Sequence, residues 1–254
     1  KLHKAVNTLI RRNVFRNITY APGIWLDYLS NRNCRITRNI FTGISSARGA
    51  VYIEVSRNHC QVDQNFFHKL TCQYWLSGEY GAGGSALYTD GSDSIEFKNN
   101  FVLDAENGGY TDYLNADRIV GTRGGLTRWH KVTDNIFVQC KKYAIEFANP
   151  NNFSDRNVFV SMPPGYLRIA NPAPLLQLDL EAWQKAFGWE KSGQIVNLGA
   201  EFDPETLQLT ITCPKEVASL LSGRGPFSDY NEIVKLCIDP RLFMQNEIYQ
   251  QTSE

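Results

Sequence analysis

Hydrophobic and polar positions alternate in short stretches over about the first 160 residues, and one short signal recurs among them. The signal is Asn-x-Phe, found at intervals of 22 to 36 residues: Asn13–Phe15, Asn39–Phe41, Asn65–Phe67, Asn99–Phe101, Asn135–Phe137 and Asn157–Phe159. The intervening stretches are rich in β-branched and aromatic residues and lack long helical periodicity. Repeats of this length and composition predict a solenoid built of short strands and turns.

The spacing predicts an all-β solenoid, a right-handed parallel β-helix, over residues 1–163. Asn tolerates left-handed turns and its side chain hydrogen-bonds readily, so we expect Asn39 to stack on Asn65 in neighbouring coils. The Phe two positions later is expected to pack inside the coil. Two longer intervals indicate insertions at 73–84 and 104–115, which we interpret as loops.

The pattern changes after Pro163. Residues 179–187 have apolar positions at helical spacing, begin at the capping residue Asp179 and are followed by Gly188, which together predict a short amphipathic helix. An alternating strand pattern follows at 207–212, and a helical turn is expected at 214–221. We therefore interpret 164–254 as a final coil and a C-terminal cap, with Trp183 and Phe187 of the helix packed against the last coil.

Two segments have nearly the same pattern and the same place in their repeats. They read Gly-Ile-Trp-Leu-Asp at 23–27 and Ala-Val-Tyr-Ile-Glu at 50–54. Strand alternation points Trp25 and Asp27 outward in the first segment, and their counterparts in the second. If the segments lie on successive coils, the two aromatic rings and the two carboxyl groups become neighbours.

The chemistry of the pair follows from this spacing. Neighbouring strands lie about 4.8 Å apart, and retaining glycosidases hold their two carboxyl groups about 5–5.5 Å apart. We therefore predict Asp27 and Glu54 as catalytic residues, with Trp25 and Tyr52 as a flat apolar surface for a sugar ring. Proximity of like charges raises the pKa of one carboxyl group, as a general acid requires.

The next coil adds two further candidates for substrate contact, Tyr88 and Asp90. They fall in the segment Ala-Leu-Tyr-Thr-Asp at 86–90, which aligns with the two acid-ending segments. Asp90 is equally well explained as a turn residue before Gly91.

The strings GIWLDY at 23–28, VYIEVS at 51–56 and QVDQNFF at 61–67 resemble the parallel β-helix β-xylosidases of glycoside hydrolase family 120. The similarity covers roughly residues 5–160. The resemblance implies that Asp27 is the nucleophile and Glu54 the acid/base of a retaining reaction on a xyloside or xylo-oligosaccharide. Members of that family carry an additional N-terminal portion that helps to wall the site, and we expect this chain to be a fragment of a longer protein.

Two other functions remain open on the sequence. One is a β-helix polysaccharide lyase, which needs a Lys or Arg base and a cation to neutralise a uronate. The other is a non-catalytic carbohydrate-binding β-helix. The separation of the Asp27 and Glu54 carboxyl groups, and whether they share a pocket, distinguishes the hydrolase from both.

Charge and cysteine content restrict the partners. The chain has 26 acidic and 26 basic residues, so no basic field favours nucleic acid or an anionic membrane. The expected partner is an oligosaccharide or glycoside, and a homo-oligomer is possible. No metal or other cofactor is expected, because the histidines lack metal-ligand spacing.

Cys34 and Cys60 are expected to stack as buried thiols, and they could form a disulfide in an oxidising compartment.

Overall fold

The computed structural model describes residues 1–28, 31–73, 83–114, 125–171 and 173–226, and the backbone of 235–238. Over these ranges the chain is mostly β-strand. Each of the first six repeats contributes one strand to each of three sheets, and strands from successive repeats pair in parallel. The predicted all-β class is therefore confirmed, and its main feature is parallel sheets.

Within each sheet, spatial neighbours come from successive repeats. The first sheet runs in the order β1 (Leu2–His3), β4 (Ile24–Asp27), β7 (Gly49–Glu54), β10 (Ser85–Asp90), β13 (Gly108–Tyr113), β16 (Tyr143–Phe147), β19 (Leu167–Ile169) and β20 (Leu176–Leu178), the last antiparallel to β19. The second runs in the order β17 (Phe153–Asp155), β14 (Lys131–Thr133), β11 (Ile95–Lys98), β8 (Cys60–Asp63), β5 (Cys34–Thr37) and β2 (Leu9–Arg11). The third runs in the order β21 (Gln194–Ile195), β18 (Val158–Val160), β15 (Ile136–Val138), β12 (Phe101–Ala105), β9 (Phe66–Cys72), β6 (Ile40–Ser46) and β3 (Val14–Thr19).

A ladder of asparagines fixes the repeats in register between the second and third sheets. The backbone N–H and the Nδ2 of each ladder residue both donate to Oδ1 of the next, at 2.9 to 3.1 Å. The predicted stacking of Asn39 on Asn65 is confirmed. The carboxylate of Glu190 takes the place of a further amide and accepts from both nitrogens of Asn157. The ladder residues are Asn13, Asn39, Asn65, Asn100, Asn135 and Asn157.

The predicted register is wrong by one residue in the fourth repeat. Asn100, not Asn99, occupies the ladder, and Val102 rather than Phe101 pairs with Phe67. Asn99 instead adopts a left-handed backbone with φ 52°. The residue before every other ladder asparagine also has positive φ, so the turn places its left-handed residue one position earlier than the sequence suggested.

The predicted loop at 104–115 is also wrong in part, because Gly108–Tyr113 forms β13 and pairs with β10 and β16. Its glycines allow close packing: a Cβ at Gly108 or at Gly109 would lie 2.1 Å from the ring of Tyr143 or Phe137. Two glycines in succession concealed the strand from a pattern based on apolar residues. Most of the other predicted insertion, 73–84, lies outside the described residues.

The C-terminal elements follow the predicted pattern. Helix α1 spans Leu180–Phe187 and ends at Gly188, whose φ is 67°. Trp183 is fully buried and Phe187 partly buried against the core, as predicted. An antiparallel sheet of β22 (Gly199–Asp203), β23 (Gln208–Thr212) and β24 (Lys235–Ile238) follows, with helix α2 (Lys215–Leu221) inserted in the chain between its last two strands.

The core between the three parallel sheets is apolar. Phe15, Phe41 and Phe67 stack with ring centroids 4.8 Å apart. Cys34 and Cys60 lie opposite each other on β5 and β8, as predicted, and both are free thiols.

Among the described residues, no helix has the length and apolar character that a membrane crossing needs.

Candidate active site

Strands β4 and β7 bring the two predicted segments together. Trp25 lies opposite Tyr52, and Leu26 lies opposite Ile53. Leu26 and Ile53 are fully buried in the core, so the side chains before and after them in each strand face away from the core. These are Trp25 and Asp27 in β4, and Tyr52 and Glu54 in β7. The predicted alternation is confirmed.

The outward aromatic residues form a row across three strands. The rings of Trp25 and Tyr52 stack with centroids 5.4 Å apart and planes inclined by 26°. The Tyr88 ring meets Tyr52 edge-on at 5.4 Å. Trp25 is the partly exposed end of the row, so it offers the flat apolar face that sugar rings stack upon.

The two carboxyl groups next to this row interact with each other. Asp27 and Glu54 are joined by a side-chain hydrogen bond, and their residues are only 9% and 1% exposed. Trp25 Nε1 donates to Glu54 Oε2 at 2.9 Å. Lys1 Nζ lies 2.9 Å from Asp27 Oδ2 and 3.8 Å from the centre of the Trp25 ring.

The groups around Asp27 shift its pKa in opposite directions. Burial by itself raises the pKa of Asp27, but the hydrogen bond from Glu54 and the ammonium of Lys1 outweigh it and hold that pKa below its usual value. The surroundings of Asp27 therefore favour its ionised form.

A pocket of about 200 Å³ lies beside Glu54, and Asp27 is not among the described residues that line it. Three of the predicted site residues, Trp25, Tyr52 and Glu54, line it. The other lining residues are Tyr20, Pro22, Ser46, Ala47 and Arg48. This volume is below the 300–1,000 Å³ usual for drug-sized ligands, so the pocket suits a single sugar ring.

Tyr88 and Asp90 lie in the predicted rows, opposite Tyr52 and Glu54 respectively. Both residues are 0% exposed and neither is among the described residues that line the pocket. Burial holds the pKa of Tyr88 well above its usual value, and its Oη has no hydrogen-bond partner in the described part of the chain. Their contact with a substrate stays a prediction, and in this structure they form the layer beside the pocket.

The backbone turns in the same way after each outward acid. Tyr28, Val55 and Gly91 follow Asp27, Glu54 and Asp90, with φ of 21°, 47° and 54° respectively. Left-handed backbone is ordinary for glycine but strained for a β-branched residue such as Val55. Strain of this kind persists where the surrounding structure fixes it, and it concentrates at functional sites.

Sequence reasoning missed Arg48, Lys1 and Tyr20. Arg48 lies in the turn between β6 and β7, just before the strand that carries Glu54. Its guanidinium carbon is 5.7 Å from the centre of the Tyr52 ring and 5.6 Å from that of Tyr88. Its place two residues before the second paired segment was the available signal, but a turn residue belongs to no strand pattern.

A second polar cluster lies inside the fold, away from this pocket. Tyr110 Oη and His130 Nδ1 are hydrogen-bonded, and His130 Nε2 lies 2.8 Å from the carbonyl oxygen of Ser92. Burial lowers the pKa of His130 to about 4, so the ring is neutral and its role is structural. Across the described residues, no group of three or more His, Cys, Asp or Glu side chains is placed to hold a metal ion.

Comparison of the chain with models of known protein families, with curated proteins and with solved structures finds no match. The resemblance to glycoside hydrolase family 120 stays a prediction. The case for a function therefore rests on the geometry of the residues described above.

Proposed function

We propose that this chain carries the active site of a retaining glycoside hydrolase that cleaves a β-linked sugar. We further propose that the three parallel sheets wind as a right-handed parallel β-helix, the hand that parallel crossover connections favour. The site lies on the outward face of the first sheet, where neighbouring strands hold their side chains at one strand spacing.

One observation carries the proposal: two buried carboxyl groups on neighbouring strands interact beside the Trp25 ring, next to a sugar-sized pocket that Glu54 lines. Burial raises the pKa of Asp27, but Glu54 and Lys1 lower it overall, and we assign the proton of the pair to Glu54. A retaining glycosidase needs this division, because the ionised group attacks while the protonated group assists departure of the leaving group. Trp25, which is partly exposed, supplies a stacking face next to the pair, and the buried Tyr52 supports the other face of its ring.

The reaction proceeds in two displacements. Asp27 attacks the anomeric carbon, the bond from that carbon to the glycosidic oxygen breaks, and Glu54 donates its proton to the departing oxygen. Water then attacks the same carbon, Glu54 accepts a proton from it, and the ester bond to Asp27 breaks. Both carboxyl groups return to their starting protonation states, and the product keeps its configuration.

The closeness of the pair favours this pathway over inversion. Inverting enzymes hold their carboxyl groups about 6.5–9.5 Å apart to leave room for a water molecule. Two carboxyl groups that interact directly leave no room between them for that water molecule. A separation of about 5 Å matches the spacing of neighbouring strands.

Lys1 contacts both Asp27 and Trp25, so a substrate must displace it. Its side chain is 53% exposed, and ion pairs with one exposed partner contribute about 1 kcal/mol or less. Displacement is therefore inexpensive. While Lys1 is in place, its charge keeps Asp27 ionised and ready to attack.

The experiment compares Asp27→Ala and Glu54→Ala on aryl β-glycosides, with an aryl β-xyloside first because of the resemblance. Asp27→Ala is expected to abolish turnover. Glu54→Ala is expected to impair substrates with poor leaving groups far more than activated ones, because only the former need a proton in the first step. Azide should restore its activity and give a glycosyl azide of retained configuration.

Three results contradict the proposal. Normal turnover by Asp27→Ala excludes Asp27 as the nucleophile. An unsaturated sugar product indicates a lyase. Binding of sugars without turnover by the unaltered chain, across the range of aryl glycosides, indicates a carbohydrate-binding module.

A further inference from the structure

A second cavity lies on the outward face of the second sheet and shares no described lining residue with the pocket beside Glu54. Its volume is about 420 Å³, which is within the usual range for small-molecule sites. Strands β11, β14 and β17 pair side by side and, with the turns that follow them, supply the described lining residues. The cavity therefore has room for a ligand, and its side chains determine which ligand fits.

Glu96 lies in this cavity among cations that it does not reach at hydrogen-bonding distance. Lys131 Nζ is 3.6 Å from Glu96 Oε1, and Lys98 Nζ is 3.7 Å from Glu96 Oε2. His59 Nε2 is 3.6 Å from the same Oε2. Polar groups more than about 3.5 Å apart are commonly bridged by a water molecule. A hydroxyl group can take that place, because it donates to the carboxylate and accepts from the ammonium.

The side chain of Asn99 has unused hydrogen-bonding capacity at the same cavity. Its backbone N–H donates to the carbonyl oxygen of Thr133, but its Oδ1 is buried and has no partner among the described residues. A buried acceptor without a donor costs free energy, which a ligand that supplies the donor recovers. The terminal amide of an asparagine turns readily about its last bond, so it can present its oxygen or its nitrogen to a ligand.

Phe153 adds an apolar surface to this polar cavity. It is 38% exposed and lies opposite Lys131 on the neighbouring strand. Arg156, which also lines the cavity, donates two hydrogen bonds of 2.6 Å to Asp134. Each described cation that lines the cavity therefore has a carboxylate beside it, and an anionic ligand would meet that carboxylate. An exposed aromatic ring beside groups that donate and accept hydrogen bonds suits a neutral sugar, which has an apolar ring face and a rim of hydroxyl groups.

We propose that this cavity binds a neutral oligosaccharide, with one sugar ring against Phe153. Hydroxyl groups of the sugar bridge Glu96 and Lys131, and another donates to the amide oxygen of Asn99. The site holds a carbohydrate chain and has no part in cleaving it. The inference goes beyond the proposed hydrolase, because the cavity lies on a different sheet from Asp27 and Glu54 and needs neither of them.

The test is calorimetric titration with xylotriose, cellotriose and the anionic trigalacturonate. It uses the Asp27→Ala chain, so that turnover does not interfere. At least one neutral trisaccharide is expected to bind. Phe153→Ala in the same chain should weaken its binding about 5- to 20-fold, as the loss of an aromatic contact surface implies. Asn99→Gly, which suits the left-handed backbone at that position, should weaken it about 3- to 10-fold.

Ile195→Ala is the control, because Ile195 is also an exposed apolar residue, 64% exposed, and it lies on the third sheet away from the described lining of the cavity. It should bind the trisaccharides as the parent chain does. Unchanged binding in both Phe153→Ala and Asn99→Gly overturns the inference. Tighter binding of trigalacturonate than of both neutral trisaccharides, or no binding of any of the three, overturns it as well.

Hydrolysis of an aryl β-xyloside separates this inference from the proposed hydrolase. With Asp27 in place, Phe153→Ala should hydrolyse the xyloside as the unaltered chain does, because the cavity is not part of the proposed active site. If the unaltered chain hydrolyses no aryl glycoside but binds a neutral trisaccharide through Phe153, the hydrolase proposal fails and this inference stands. If hydrolysis occurs and both cavity variants bind normally, the hydrolase stands and this inference fails.

Discussion

The indole nitrogen of Trp25 donates a hydrogen bond of 2.9 Å to Oε2 of Glu54, across the junction between β4 and β7. The same indole ring stacks on Tyr52, and the ammonium of Lys1 lies over it in a cation–π contact. Trp25 is thus both a wall of the pocket and a direct partner of the proposed acid/base. These two roles are separable, because the ring provides one and the N–H the other.

Trp25→Phe is expected to move the pH dependence of catalysis while leaving the stacking surface in place. The indole N–H stabilises the ionised form of Glu54, so its removal favours the protonated form. The high-pH limb of kcat/KM, where the acid loses its proton, should move upward accordingly. Trp25→Leu is the comparison, since it also removes the stacking surface and should raise KM. An unmoved limb in Trp25→Phe contradicts the positioning role.

The asparagine ladder gives a prediction about stability that depends on the corrected register. Asn100 accepts two hydrogen bonds from Asn65 and donates through Nδ2 to two carbonyl oxygens and to Asn135. Asn100→Ala leaves several buried groups without partners and should lower the free energy of unfolding by about 3 kcal/mol.

Asn99→Gly is the matched substitution, because glycine tolerates the left-handed backbone at that position. It should change the free energy of unfolding by less than about 1 kcal/mol. Urea denaturation followed by circular dichroism measures both variants. Equal losses, or a larger loss for Asn99→Gly, are inconsistent with Asn100 as the ladder residue.

The carboxyl group of Glu190 links ladder stability to pH. Burial raises its pKa to about 7, although hydrogen bonds from Asn157 act in the opposite direction. The folded chain therefore binds more protons than the unfolded chain between pH about 4.5 and 7, so this contribution to stability is present at low pH and is lost as pH rises through 7. The full loss is on the order of 3 kcal/mol.

Glu190→Gln should flatten this part of the pH dependence, since an amide does not titrate. The measurement is the free energy of unfolding at pH 5 and pH 8, with Glu181→Gln, an exposed site on α1, as the control. The change between the two pH values should be smaller in Glu190→Gln than in the control. If the two variants change equally, Glu190 is not the group that titrates.

Most of the fold could be predicted from the repeat, because the asparagine of the Asn-x-Phe signal has the same structural role in almost every repeat. The Asn39–Asn65 stacking and the outward placement of Trp25 and Asp27 follow from spacing and strand alternation alone. The sequence Asn-Asn-Phe at 99–101 fits two registers, and only the hydrogen bonds of Asn100 decide between them. Strand β13 was missed because its glycines are needed for close contact with Tyr143 and Phe137.

The site was predicted in part for the same reason. Asp27 and Glu54 end matched strands, so the repeat aligns them. Arg48 and Lys1 reach the site from a turn and from the first residue of the described chain, where no periodicity applies. The burial of Tyr88 and Asp90 depends on how their neighbours pack, which strand alternation does not specify.

Covalent trapping of the nucleophile is the most direct test of the central claim. A 2-deoxy-2-fluoro xyloside with a good leaving group slows both steps and leaves the sugar attached to the enzyme. Peptide mapping by mass spectrometry should find one added glycosyl group on Asp27, and Asp27→Ala should remain unlabelled. Attachment at another residue, or turnover with an inverted product and no label on Asp27, contradicts the retaining mechanism.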